Sequence, residues 1–391
     1  MISDAPPSRE RHPFRNLGFA SVCAVTLLAS VATSTMFLLS QYLRSLGYAE
    51  REVGWAMGAF YAGTLVALPA FSAMVRRSGV RFALRVGLAL IALSALAMGV
   101  MGDIWVLIIL RAFQGAGWAG VLITTALLAT ALSPAERLAQ GIGIYGACFL
   151  IGQAIGPAIG ELTLGETKAF TVFFITAACL SILPFVLLPL LPAQVKLNTP
   201  SRQGPPAGIL LRILPVMEGF CLITGWGAAL QLISDYASQL SFMSIWTFFM
   251  GHMIGGLAMR FGCGQFLDRF QRGHVTALGA FVNAAGLFLL AYLSHEWVLW
   301  PAGILLGASS GVYSSALQAA MIERFGDRVR AVTVFRATTM VGVSIAALGG
   351  GWLASASSYP EMYAIFAMLS LAAGFLAFAE TIFPARPVYV A

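Results

Sequence analysis

Polar and Gly/Pro-rich clusters cut this chain into twelve apolar runs, each close to the 20 or so residues a helix needs to cross a ~30 Å hydrocarbon core. In hydrocarbon every backbone N–H and C=O must find its partner inside the chain, so runs of this length and number predict helices. The first six are read as Leu17 to Leu43, Val53 to Val75, Phe82 to Met101, Ile104 to Ala131, Gly141 to Thr163 and Phe170 to Leu191. The second six are Ile209 to Ile233, Leu240 to Gly262, Val275 to Leu293, Val298 to Ile322, Ala331 to Leu353 and Met362 to Phe383. A dozen crossings consume roughly 240 residues, and the remainder of the 391 holds no soluble catalytic domain. Composition agrees: 59% of the chain is hydrophobic and 10% charged, where soluble domains carry about 45–50% and about 25%. The expectation is an all-α membrane protein that is not an enzyme and needs no cofactor.

A net charge of +7 would suggest nucleic acid as partner in a soluble chain; here the sign is read by position along the membrane. Of 23 Lys and Arg, 19 fall on the side of the termini. Arg44, Arg51 and Lys168 fall opposite, and Arg111 lies within a run. Basic residues favour the cytoplasm, so both termini are expected there, and an odd number of spans would destroy the partition. Residues 1–16 then form a cytoplasmic tail, 17–191 an N-terminal six-helix bundle, 192–208 a polar, Pro-rich linker, 209–383 a C-terminal bundle and 384–391 a second tail. The first apolar run is too long for a signal-peptide core and lacks a small-residue cleavage site, so it is expected to be retained. Twenty-one Arg against two Lys suits a GC-rich bacterial gene and hence an inner membrane. A monomer in the lipid bilayer is expected.

The halves echo each other about 190 residues apart, as in transporters built from parallel repeats. DIWVL at Asp103 to Leu107 is matched by HEWVL at His295 to Leu299, and Gly115 and Gly307 keep the same register.

Several motifs resemble those of the major facilitator superfamily, over nearly the whole chain. LIILRAFQGAGWAG holds Arg111, Gln114 and Gly115 in the family's Arg and Gln-Gly spacing. GQAIGPAIG resembles a motif frequent in the family's exporters. Gly152, Gly156 and Gly160 bare one helix face for close approach, and Pro157 removes a helix hydrogen bond. Glu161 stands where the exporters have a final Gly. GQFLDRFQRG is similar to the family's cytoplasmic loop, with Gly264, Asp268, Arg269 and Arg272 in place. Its first-half counterpart, SAMVRRSGVR, keeps Gly79 and Arg81 but has Arg76 where the family has Asp. The resemblance implies two pseudo-symmetric six-helix bundles rocking about a central cavity. In the family that acid locks the cytoplasmic gate. With Arg76 there, a lock of reversed polarity is expected, in which Arg76 or Arg77 meets Glu323 or Asp327.

Charges inside the spans mark candidate sites, because a guanidinium in hydrocarbon costs at least about 2.5–3.5 kcal/mol unless it faces a cavity or a partner. Arg111, Gln114, Trp118, Trp226 and Gln318 are the candidates to line a cavity, with Trp246 a further aromatic. Desolvation penalises the charged form of a carboxyl, which makes Glu218, nine residues into the seventh run, the leading carrier of a coupling proton. His252, Glu161 and Asp235 are the alternatives. His252 also fits a structural hydrogen bonder, and Glu161 and Asp235 also fit solvated span ends. Arg336, one to two turns into the eleventh run, completes the set. Four unclustered histidines and five cysteines without paired short spacing exclude the usual metal or disulfide patterns. GIGIYG at Gly141 to Gly146 and GASSG at Gly307 to Gly311 mimic dinucleotide and hydrolase motifs but lie in apolar helices with no strand, outside the context those motifs require.

The expected function is therefore secondary transport of a small organic solute, chiefly proton-coupled efflux. Uptake by symport or uniport is the alternative within that class, and a non-transporting sensor or lipid scramblase the alternative outside it.

Overall fold

The computed structural model describes residues 17–133, 138–165, 170–192, 208–242, 244–263, 270–325 and 328–382, and all of its regular structure is helical. Among the described residues twelve principal helices follow one another, ten of them long and apolar enough by themselves to cross a membrane: α1 (Leu17–Ser45), α2 (Glu50–Ser78), α3 (Val80–Met98), α4 (Ile104–Leu132), α5 (Leu138–Leu164) and α6 (Phe170–Leu190). They are followed by α7 (Ile209–Gln239), α8 (Trp246–Leu257), α9 (Arg272–Ala291), α10 (Leu299–Phe325), α11 (Arg328–Ala356) and α12 (Tyr359–Ile382). A π-helical turn, Ala258–Cys263, prolongs α8. Successive helices run antiparallel, so Leu17 and Ile382 lie at one face of the bundle, called here the termini face.

Helix ends follow local chemistry. Asp103 caps α4 by accepting from the amides of Trp105 and Val106 at 3.0 and 3.1 Å, satisfying donors that the first turn of any helix leaves free. Gly79, at φ 85°, turns the chain between α2 and α3 where a Cβ would be strained. The eighth span departs from the sequence expectation. The run Leu240 to Ile245 is apolar, but the chain turns at Ser241 (φ 59°) and the helix begins only at Trp246.

Small residues set the packing. A Cβ on Gly115 would lie 1.8 Å from the Phe60 carbonyl, and one on Gly307 would lie 2.0 Å from the His252 carbonyl. The two glycines of the sequence repeat thus do equivalent work, seating α4 on α2 and α10 on α8. Gly152 and Gly156 of α5 lie against Ser30 and Ser34 of α1, where a Cβ would come within 2.5 and 2.1 Å. Across that seam Ser34 donates to the Gly152 carbonyl at 2.9 Å and Thr35 to that of Gly156 at 3.2 Å. Gly160, one turn on, has a looser fit against Leu38, at 3.3 Å. α5 remains helical through Pro157.

The two halves meet chiefly along α2 with α11 and α5 with α8, pairs that exchange under the internal repeat.

Candidate functional site

The halves are sealed at the face opposite the termini. Backbones come together where α2 starts and α11 ends: a Cβ on Gly351 would lie 2.6 Å from the Glu50 carbonyl and 2.8 Å from the Gly54 Cα. Beside them, Arg44 of α1 bridges Glu50 at 2.9 Å and Asp235 of α7 at 3.2 Å. Tyr359 of α12 also donates to the Asp235 carboxylate, and Gln239 donates to Glu50 at 2.8 Å. Asp235 is fully buried, so the reading of it as a solvated span end is corrected.

Glu161 makes the second closure. Its carboxylate accepts from the amides of Ile245 at 2.5 Å and Trp246 at 3.0 Å and from the Ser244 hydroxyl at 2.7 Å. An acid from α5 thereby caps α8 across the interface, where the helix dipole and free amides favour negative charge. It too is not simply solvated, and this distant cap explains why α8 starts at Trp246.

Under the seal lies a polar roof. Seven residues into α4, about 10 Å below that face at 1.5 Å per residue, Arg111 is 2% exposed. One guanidinium nitrogen donates to Gln114 Oε1 at 2.5 Å, and the group lies over the Phe60 ring, 4.8 Å from its centroid. Arg111 Nε and Gln114 Nε2 have no partner. Alongside, Gln231 of α7 donates to Tyr61 of α2 at 3.1 Å, joining the halves. The Trp226 indole N–H donates to His252 Nε2 at 2.9 Å. His252 is therefore held as a buried acceptor.

The other expected site residues are dispersed. Trp118 is buried and stacks on Phe149 at 5.9 Å, a core position rather than a cavity wall. Trp246 packs edge-on against Trp300 at the sealed face. Gln318 is half-buried on α10. Glu218 is 3% exposed, its Oε1 unpartnered, with Arg324 and Glu380 as charged neighbours inside the C-terminal half. Cys23 and Cys148, from α1 and α5, lie side by side as free thiols, which their sequence spacing does not reveal.

Among the described residues the ion pairs at the termini face stay within one half. Arg81 donates to the carbonyls of Pro189 and Leu191. Arg324 holds Glu380 at 2.6 Å and Arg272 meets Glu323 at 3.4 Å. Arg76 and Arg77 are exposed at the end of α2, and the Glu323 expected to meet them is engaged by Arg272. Asp268, Arg269 and Asp327 lie outside the described residues, as do the tails and most of the 192–208 linker.

The family model of the Major Facilitator Superfamily matches residues 20–326 and again 219–389. The chain belongs to this superfamily, and it is a multi-pass membrane protein of that fold. Multidrug resistance protein Stp of Mycobacterium tuberculosis is 27% identical over 201 residues, 51% of this chain. The match covers 36% of that protein, so this chain corresponds to only part of it. The class B tetracycline resistance protein of Escherichia coli is 24% identical over 311 residues, 73% of each chain. Among solved structures, a bacterial homologue of the lysosomal transporter Spinster, inward-facing and unoccupied, aligns with TM-score 0.70 and 13% identity over 95% of this chain and 96% of that one. At that identity the likeness is one of fold.

Proposed function

We propose that this chain exports a small organic solute in exchange for protons, by alternating access between its two halves. The observation that carries the reading is the one-sided closure. Ion pairs, a cross-interface helix cap and glycine contacts join the halves at one face, while the ion pairs described at the other stay within a half. Such a pair of rigid units needs only a rocking motion to expose a site near the midplane alternately. The names of the mycobacterial and tetracycline-resistance relatives favour export. With the termini in the cytoplasm of a bacterial inner membrane, the sealed face is periplasmic. Arg111 and Gln114, with unsatisfied donors beneath the seal, are the proposed solute contacts at the roof. Glu218 is the proposed proton carrier, being a buried carboxyl with a free oxygen. Arg76, Arg77, Asp268, Arg269, Glu323 and Asp327 are the proposed gate on the cytoplasmic side, and the protein acts as a monomer.

The test is solute flux in proteoliposomes with and without an imposed pH gradient. Arg111→Ala is expected to insert and fold yet lose flux, and Glu218→Gln to lose gradient-driven accumulation while retaining solute exchange. Wild-type flux in Arg111→Ala, or an unchanged response to the gradient in Glu218→Gln, would remove that residue from the mechanism.

A further inference from the structure

Two guanidinium groups within the bundle take no part in the seal, the roof or the ion pairs described above. Arg260 lies in the π-helical turn that prolongs α8. Arg336 lies eight residues into α11, about 12 Å inside the helix start at 1.5 Å per residue. Both are exposed, and both face the N-terminal half. A methyl group on Gly146 of α5 would lie 2.7 Å from an Arg260 guanidinium nitrogen, so the end of that side chain rests against α5. Arg336 is an electrostatic neighbour of Tyr145, the residue next to Gly146 on α5. The two arginines are also neighbours of each other, with Tyr313 of α10 beside Arg260.

Like charges at close range repel, and each guanidinium offers five donors and no acceptor. Among the described residues no carboxylate pairs with either group: the ion pairs of the C-terminal half are Arg272 with Glu323 and Arg324 with Glu380. The charged neighbours of Glu218 are Glu380 and Arg324 instead. A role in setting topology does not account for this arrangement, because topological arginines sit in loops and at span ends. These two lie at the interface between the halves, Arg260 against Gly146 and Arg336 near Tyr145.

Resting on the reading of the chain as a transporter, we infer that Arg260 and Arg336 form the binding site for the oxyanion of an organic solute: a carboxylate, sulfonate or phosphate ester. Planar guanidinium groups match such oxygens in pairs of parallel hydrogen bonds. The half-buried Tyr145 and the exposed Phe261 ring of the same turn offer aromatic surface for the solute's body. A cationic solute would meet two unpaired positive charges on entering from the termini face, and Arg111 above them.

The experiment uses the full chain in vesicles of zwitterionic lipid. Three fluorescent solutes share one aromatic body and carry a carboxylate, a carboxamide or a quaternary ammonium. The carboxylate is expected to move at least tenfold faster than the ammonium. Arg260→Gln and Arg336→Gln are each expected to lower carboxylate flux at least tenfold while leaving carboxamide flux within about twofold, and Arg336→Glu to reverse the preference in favour of the ammonium. Carboxamide flux also reports that a variant is folded. A further arm follows labelled phosphatidylglycerol: lipid movement lost in both Gln variants would assign the oxyanion to a headgroup, and movement of the soluble carboxylate would assign it to a solute. Binding of the carboxylate that depends on both arginines, without flux of any probe, would uphold the site and overturn the transport reading. Equal flux of all three solutes, or wild-type carboxylate flux in both Gln variants, would uphold transport and overturn the oxyanion site.

Discussion

The two faces of the molecule use the same kinds of residue to opposite effect. At the sealed face Arg44, Asp235, Glu50 and Glu161 each find a partner across the interface or in the network that spans it. At the termini face Arg81, Arg272 and Arg324 find theirs in their own half. The first arrangement ties closure to ion pairing, so those bonds are lost when that face opens. The second keeps the described pairs inside a half, so separating the halves there breaks none of them. Which face is shut is then decided chiefly by the seal, and the balance can be moved by breaking it.

The largest shift is expected from Gly351→Leu. The atoms that a side chain at this position would meet are backbone, the Glu50 carbonyl at 2.6 Å and the Gly54 Cα at 2.8 Å, and neither can rotate away. Overpacking of this kind costs about 1–3 kcal/mol, and 3 kcal/mol is more than a hundredfold in an equilibrium. Spin labels at Tyr48 and Ser357 should report a longer distance across this face, and an unchanged distribution would show that the glycine contact does not govern closure. Gly349→Ala, with open space around its Cβ, serves as the control.

A smaller effect is expected from Asp235→Ala. It strips Arg44 of one of its two acids and leaves the Tyr359 hydroxyl without its acceptor. Leaving such a buried donor unpaired costs about 1–3 kcal/mol, reduced here because Arg44 keeps Glu50. The sealed population should fall in the same distance measurement, and Asp235→Glu should restore part of it. If Asp235→Ala matches the wild type, the pair contributes nothing to the seal.

The smallest belongs to the termini face. Arg76→Glu should leave the conformation described here almost untouched, because Arg76 is exposed and surface pairs are worth about 0–1 kcal/mol. It should favour the inward-open state over the alternative, and Asp327→Arg in the same chain should partly reverse the change, as read by cysteine accessibility at that face. Failure of rescue by both Asp327→Arg and Glu323→Arg would dispose of the reversed lock.

How far these features were legible in the sequence depended on whether their cause was local. Span positions follow from apolar length, and the Gly115 and Gly307 seats from a repeat that can be seen in the letters. The start of α8 was misread because Leu240, Phe242 and Ile245 continue an apolar run, while the cap that sets the helix start comes from Glu161, about 85 positions away in the chain. Trp118 was misassigned because an aromatic in a span carries no mark of whether it faces a cavity or a core. Asp235 and Arg44 were separately visible as charges near span ends on one side. Their equal depth was the signal that could have paired them. Arg260 is one of the 19 cations assigned to the side of the termini, since an arginine near the end of an apolar run looks the same whether it enforces topology or turns inward. Gly143 and Gly146, small residues on the helix opposite, were the available hint.

The π-helical turn at Ala258–Cys263 gives α8 an unusual kind of slack. Bonding from i to i+5 fits an extra residue into a turn, and a return to α-helical bonding would swing side chains beyond it by about 100° around the axis. Arg260 sits within that stretch. A change in winding, with no displacement of the helix as a whole, would therefore be enough to aim this cation at the space between the halves or withdraw it, as a camshaft lifts or drops a valve by rotation alone.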